Sequence, residues 1–177
     1  LSTSSAAAAE RWQDGVDRLL SQNHGPDIKF QEAIDLDEGF AMAHGCLAYW
    51  YQQRALPEKA REAIDLALAL APGATRRERQ QIEAVAHWIH NKGRESIGLI
   101  KEHLSEFPRD GLLMRLAHRL YMLGCSGAGA PNFPPEYLGL LRSVAPHCMD
   151  DWAFLAEYAF AHHETGFLDE AWQYAQT

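Results

Sequence analysis

Ala41-Met-Ala-His44-Gly-Cys-Leu47-Ala48-Tyr-Trp-Tyr51, followed by Leu56-Pro57, Ala60-Arg-Glu-Ala-Ile64-Asp-Leu-Ala67-Leu-Ala-Leu70 and then Pro72, decides the fold class. The second half sets Ala60, Ala63, Ile64 and Ala67 at i, i+3, i+4 and i+7 among strong helix formers, which is the stripe of an amphipathic helix. Leu56-Pro57 separates it from an equally apolar helical run before it, and Pro72 stops it, because proline has no N–H to donate and a fixed φ. Two helices joined by so short a break are antiparallel neighbours. Alternation of β-branched residues at period 2 is missing along the chain, so the expected class is all-α.

The same unit recurs. Asp37-Glu38, Pro72, Pro108 and Pro146 occupy one end-of-unit slot at spacings of about 34, 36 and 38 residues. Reading outward gives five helix pairs: 6–21 with 27–37, 40–53 with 57–70, 75–91 with 94–106, 110–123 with 134–144, and 149–164 with 168–177. The corresponding units span roughly 6–37, 40–72, 75–108, 110–146 and 149–177. Breaks such as His24-Gly25-Pro26, Asn91-Lys92-Gly93 and Glu164-Thr165-Gly166 are short. The exception is the Gly- and Pro-rich loop at 124–135, far longer than the two or three residues a tight turn needs.

Set against the 34-residue tetratricopeptide pattern, His44, Leu47, Ala48, Tyr51, Ala60, Ile64, Ala67 and Pro72 fill every small, large and proline slot, with His44 standing where tryptophan is usual. The chain resembles a tetratricopeptide-type α-solenoid, antiparallel helix pairs wound into a right-handed superhelix. Asp37-Glu-Gly-Phe-Ala-Met-Ala-His44, Thr75-Arg-Arg-Glu-Arg79, Phe107-Pro-Arg-Asp110, Arg115-Leu-Ala-His118 and Ala161-His-His-Glu-Thr-Gly166 together are similar to the tetratricopeptide repeat protein 38 family and its bacterial members. Glu38 departs from the family pattern, where proline is usual. The resemblance implies a fold and a cytoplasmic setting more than an activity.

Composition narrows the function classes. With 177 residues, 47% hydrophobic and 23% charged, the chain has ordinary globular usage. A net charge of −8 without any Lys/Arg run beyond Arg76-Arg77 argues against a nucleic-acid partner. No apolar run approaches the roughly 18 residues of a membrane span, and no basic start precedes the Ala6–Ala9 run as a signal peptide requires. Cys46, Cys125 and Cys148 are scattered and odd in number, which fits a reducing compartment and neither a disulfide framework nor a zinc site. No cofactor is expected.

In stacked helix pairs the first helices line the concave wall. That register points Tyr49, Gln53, Gln81, Trp88, Arg115, Arg119, Phe160 and His163 toward a bound peptide or protein. Arg115 and Arg119 share a helix face and could hold one anionic group together. The plainer reading pairs them with carboxylates of a neighbouring helix and lets the aromatics fill grooves. His44, His87, His118 and His162 fall in four first helices; with Glu157 close, His87, His118 and His162 would form a metal or proton-transfer row inside the superhelix. That alternative needs at least three of His87, His118, His162, His163 and Glu157 to converge. No H-E-x-x-H, G-x-S-x-G or glycine-rich phosphate loop occurs.

The expected function is therefore a protein-interaction module without catalysis, and the alternative is a small-molecule or metal-binding site or enzyme built from the histidine row with Arg115 and Arg119 inside the superhelix. The opening Leu1 and a helical pattern still running at Thr177 are expected of a piece of a longer chain. Trp172 and Phe167 would then lie on an uncovered apolar face, inviting self-association.

Overall fold

The computed structural model describes residues 1–122 and 133–177, and every regular element among them is helical. The helices are α1 (Ala6–Leu20), α2 (Pro26–Leu36), α3 (Ala41–Gln53), α4 (Pro57–Leu70), α5 (Arg76–Ile89), α6 (Gly93–Glu106), α7 (Gly111–Met122), α8 (Phe133–Val144), α9 (Trp152–Glu164) and α10 (Leu168–Ala175). Their limits lie within three residues of the sequence expectation. Most of the expected 124–135 loop, residues 124–132, lies outside the described residues, and its last three positions already belong to α8.

Local chemistry sets the starts. Pro26 and Pro57 open α2 and α4 at the position where a missing N–H costs nothing. Ser5 accepts from Ala8 N, and Asp151 accepts from both Ala153 N and Phe154 N. Thr75 and Glu78 form a reciprocal capping box at α5. The Asp151 cap explains the one start that falls three residues later than the periodicity suggests, since Cys148–Asp150 turn before it. Pro72 and Pro146 stop their helices as expected, each inside a single 3₁₀ turn, Ala71–Gly73 and Ala145–His147.

The ends repeat one device. Gln22, Ala55, Asn91 and Gly166 all have positive φ, and each sits just past the first helix of a pair. In each case the next residue's N–H reaches back five residues to a helix carbonyl: Asn23 to Arg18, Leu56 to Tyr51, Lys92 to His87, Phe167 to His162, at 2.8 to 2.9 Å. This left-handed stop satisfies two orphan carbonyls and reverses the chain. It recurs between α1 and α2, α3 and α4, α5 and α6, and α9 and α10.

The chain divides into two compact units, Leu1–Lys92 and Gly93–Thr177. In the first, α1 pairs with α2 and α3 with α4, and α5 packs against both α3 and α4. Phe30, Phe40, Met42, Tyr49, Ile64 and Ile82 are closed to solvent there. Gly15 lets Phe30 approach α1, for a Cβ on it would stand 2.5 Å from the ring. Ser2 anchors the first residues by donating from its N and Oγ to Glu78 Oε1. In the second unit, α9 packs against α7, α8 and α10, around Leu113, Met114, Tyr137, Leu141 and Phe154.

Candidate functional site

Three of the residues expected on an open wall in the first unit are interior. Tyr49 and Trp88 meet with ring centroids 5.2 Å apart, and both are buried, as is Gln81. The reason is that α3 touches α2, α4 and α5, leaving every residue from Ala41 to Tyr49 covered. The aromatics fill an inter-helix groove, which is the plainer of the two readings. Gln53 and His87 are half-buried. His44 Nε2 lies 2.9 Å from the Glu38 carbonyl, binding the turn before its own helix.

In the second unit one carboxylate gathers the polar residues. Glu157 on α9 bonds Arg115 through Oε1 and His118 Nδ1 through Oε2, both from α7, and Tyr137 of α8 donates its hydroxyl to Oε2 at 2.7 Å. Arg115 Nη1 is thereby held by Glu157, whereas the buried Nε of Arg119 has no hydrogen-bond partner among the described residues. Phe160, one turn on from Glu157, stacks on the His118 ring at 4.7 Å and 16°. Burial pushes the Glu157 carboxyl up, but the His118, Arg115 and Tyr137 contacts outweigh it and hold the group below the usual carboxylate range. It is an anion that joins three helices.

The histidine row of the alternative reading does not assemble within this unit. His162 Nδ1 bonds the Tyr158 carbonyl one turn back at 2.8 Å and sits among Tyr158, Tyr174 and Phe167. His163 points outward, 3.0 Å from Glu164. Adjacent residues diverge by about 100° around a helix, so the two imidazoles face different neighbours. Only His118 meets Glu157 here. No group of three or more His, Cys, Asp or Glu among the described residues is placed to hold a metal ion.

One polar pair escaped the sequence reading. His103 Nε2 approaches Asp110 Oδ2 at 3.1 Å, with side chains 0% and 1% exposed, while Asp110 Oδ1 accepts from Leu113 N at the start of α7. Asp110 three residues before Leu113 was a readable helix cap, but His103 lies in a second helix, outside the first-helix register used to rank the histidines.

Among the exposed residues of the second unit are several large apolar side chains. On α10, Leu168 is 60% and Trp172 68% exposed, and with Ala175 they form one stripe at i, i+4 and i+7, as expected for Trp172. On α9, Trp152 and Ala156 are exposed on one face. Phe167 borders a cleft of about 510 Å³ lined also by Pro134, Pro135, Leu138 and Arg142, whose guanidinium lies over the Phe167 ring. From Met149 to Thr177 the chain carries six carboxylates and no lysine or arginine. Glu157 and Asp150 are paired with Arg115 and Arg109, whereas Asp169 and Glu170 are exposed.

No helix of the described residues is long and apolar enough to cross a membrane. No protein-family model matches the chain, and neither curated proteins nor solved structures offer a match.

Proposed function

We propose that this chain is a protein-interaction module of tetratricopeptide-type helix pairs, which works by offering helical surface to a polypeptide partner and performs no reaction of its own. Two features support the repeat reading. The left-handed stop recurs at Gln22, Ala55, Asn91 and Gly166, and the proline turns at Pro72 and Pro146 recur with it. Cys46 and Cys148, both buried and in no disulfide among the described residues, suit the reducing, cytoplasmic setting that the resemblance implies.

The observation that carries the binding reading is the exposed Leu168–Trp172 pair on α10. Aromatic anchors of this kind dominate interface energies, and a contiguous apolar stripe left open on a helix is a docking surface. Gln53 in the first unit, and separately Phe160 and His163 in the second, keep part of their surface open and remain candidate binding residues.

A photoreactive phenylalanine analogue placed at Trp172, and separately at exposed Gln13 on α1, tests it in cell extract. Discrete protein adducts from position 172 and none from 13 are expected. Adducts of the same pattern from both positions, or from neither, would overturn the assignment.

A further inference from the structure

Beyond the interaction reading, we infer that the cleft beside Phe167 binds a small amphoteric ligand with an apolar body, and that the chemistry it fits is an α-amino acid with an aliphatic or aromatic side chain. Its walls lie between Pro134 and Phe167, on the first turns of α8 and on the turn that joins α9 to α10, so it does not depend on the exposed stripe of α10. Its volume of about 510 Å³ falls in the range of small-molecule sites, roughly 300–1,000 Å³. The sequence builds one wall to be rigid and apolar. Pro134 and Pro135 stand in the first turn of α8, where a proline gives up no hydrogen bond, so this wall has a fixed backbone and no N–H to satisfy. Leu138 and Phe167 complete the apolar lining. Gly139, one turn on from Pro135, also lines the cleft, and a Cβ on it would meet nothing within 4 Å. A glycine inside a helix lowers helix propensity, and packing does not require this one. It keeps the cleft clear.

Two charged groups decide what the ligand carries. Arg142 is exposed, with its guanidinium held over the Phe167 ring at 5.2 Å, and it has no carboxylate partner among the described residues. Glu164, at the end of α9, has a side chain 33% exposed and pairs with His163 Nδ1 at 3.0 Å rather than with Arg142. Thr165 is already used, since its hydroxyl donates to the carbonyls of Ala161 and His162. The cleft therefore offers one cation and one anion beside an apolar lining. A carboxylate forks onto Arg142, and an ammonium donates to Glu164. The ligand's side chain then covers Leu138, the two prolines and Phe167. A ligand with only an anion meets Glu164 as a like charge, and one with only a cation meets Arg142 in the same way. The lining selects both charges together.

Saturation-transfer NMR titrations of the full chain test the inference. The probes are tryptophan, phenylalanine and leucine, then N-acetyltryptophan, which lacks the ammonium, tryptophan amide, which lacks the carboxylate, and N-acetyltryptophan amide, which lacks both. Gly139→Leu fills the cleft, Gly98→Leu makes the same change where the space is equally open on α6, and Arg142→Gln and Glu164→Gln remove one charge each. All four positions are exposed, so circular dichroism should be unchanged. At least one of the three amino acids should bind, Gly139→Leu should abolish that binding, and Gly98→Leu should leave it intact. Loss of either charge from tryptophan should weaken it about tenfold or more. Arg142→Gln should weaken tryptophan and N-acetyltryptophan but not tryptophan amide, and Glu164→Gln should weaken tryptophan and tryptophan amide but not N-acetyltryptophan. N-acetyltryptophan amide binding as tightly as tryptophan would overturn the assignment of the two charges. Binding that ignores Gly139→Leu would overturn the site, and no binding of tryptophan, phenylalanine or leucine at millimolar concentration would sink the inference. The photoreactive test at Trp172 stands apart from all of these outcomes.

Discussion

His103 on α6 and Asp110 at the start of α7 form a fully enclosed pair, Nε2 to Oδ2 at 3.1 Å, with the second carboxylate oxygen capping α7 through Leu113 N. One aspartate thus holds the packing of two helices and the first turn of one. Asp110→Ala should cost about 3 kcal/mol, because it strands a buried partner and opens the cap. Asp110→Asn keeps an acceptor for Leu113 N and should cost less. Urea unfolding of both variants reads the difference, and equal losses would show that the cap contributes nothing.

Glu157 gives the second unit a pH dependence of known sign. Burial raises its carboxyl, but the contacts with His118, Arg115 and Tyr137 prevail and lower it. A carboxyl lowered in the native chain adds stability above its unfolded value, about pH 4.3, and that stability drains away as pH falls through the native value. Glu157→Gln should cost about 3 kcal/mol at neutral pH. The penalty should shrink below about pH 4, where wild type protonates too. A penalty constant across this range in urea melts would refute the assignment.

Gly15 and Gly98 should respond oppositely to alanine. A Cβ on Gly15 meets the buried Phe30 ring at 2.5 Å, whereas nothing lies within 4 Å of one on Gly98. Alanine should destabilise at 15 by about 1–3 kcal/mol through overpacking and stabilise at 98 by up to about 1 kcal/mol through helix propensity. Thermal unfolding of the two variants checks the signs.

Ala55 holds a left-handed conformation, φ 56°, in the same stop where Gly166 has φ 83°. A Cβ in that region costs about 1 kcal/mol. Ala55→Gly should therefore stabilise the first unit and Gly166→Ala should destabilise the second, each by about that amount. Identical melting temperatures for Ala55→Gly and wild type would mean the turn carries no strain.

Cys46 and Cys148 should resist alkylation in the native chain. Cys46 accepts from the Trp12 indole N–H at 3.3 Å, and the Cys148 thiol donates to the Pro108 carbonyl at 3.1 Å, where burial pushes its pKa up. Both should react with iodoacetamide only as fast as the chain opens, and peptide mapping after a time course measures this.

The helices were legible in the sequence because each is bounded by a residue whose own chemistry fixes the boundary. Pro26, Pro57, Pro72, Pro146 and the Thr75/Glu78 box act within a few residues of where they stand. The polar residues were harder to place, since Glu157 meets Arg115 and Tyr137 from 42 and 20 positions away. A helical wheel gives the direction of a side chain but not what covers it. Tyr49 and Trp88 were assigned to a groove wall by that wheel, yet the close approach of α5 to α3 buried both. Trp172 is exposed as expected, and Phe167 keeps part of its ring open beside Arg142 of α8.

The single carboxylate shared by Arg115, His118 and Tyr137 bears on how this chain can drift over generations. Loss of Glu157 removes one shared acceptor from three donors at once, while loss of any one donor leaves the anion with two. Replacements at these four positions are thus epistatic: Arg115→Met costs more beside a charged Glu157 than once position 157 is uncharged. A lineage that sheds every donor before the acid passes through a buried carboxylate with no compensation, so the acid has to be replaced before its last donor is lost.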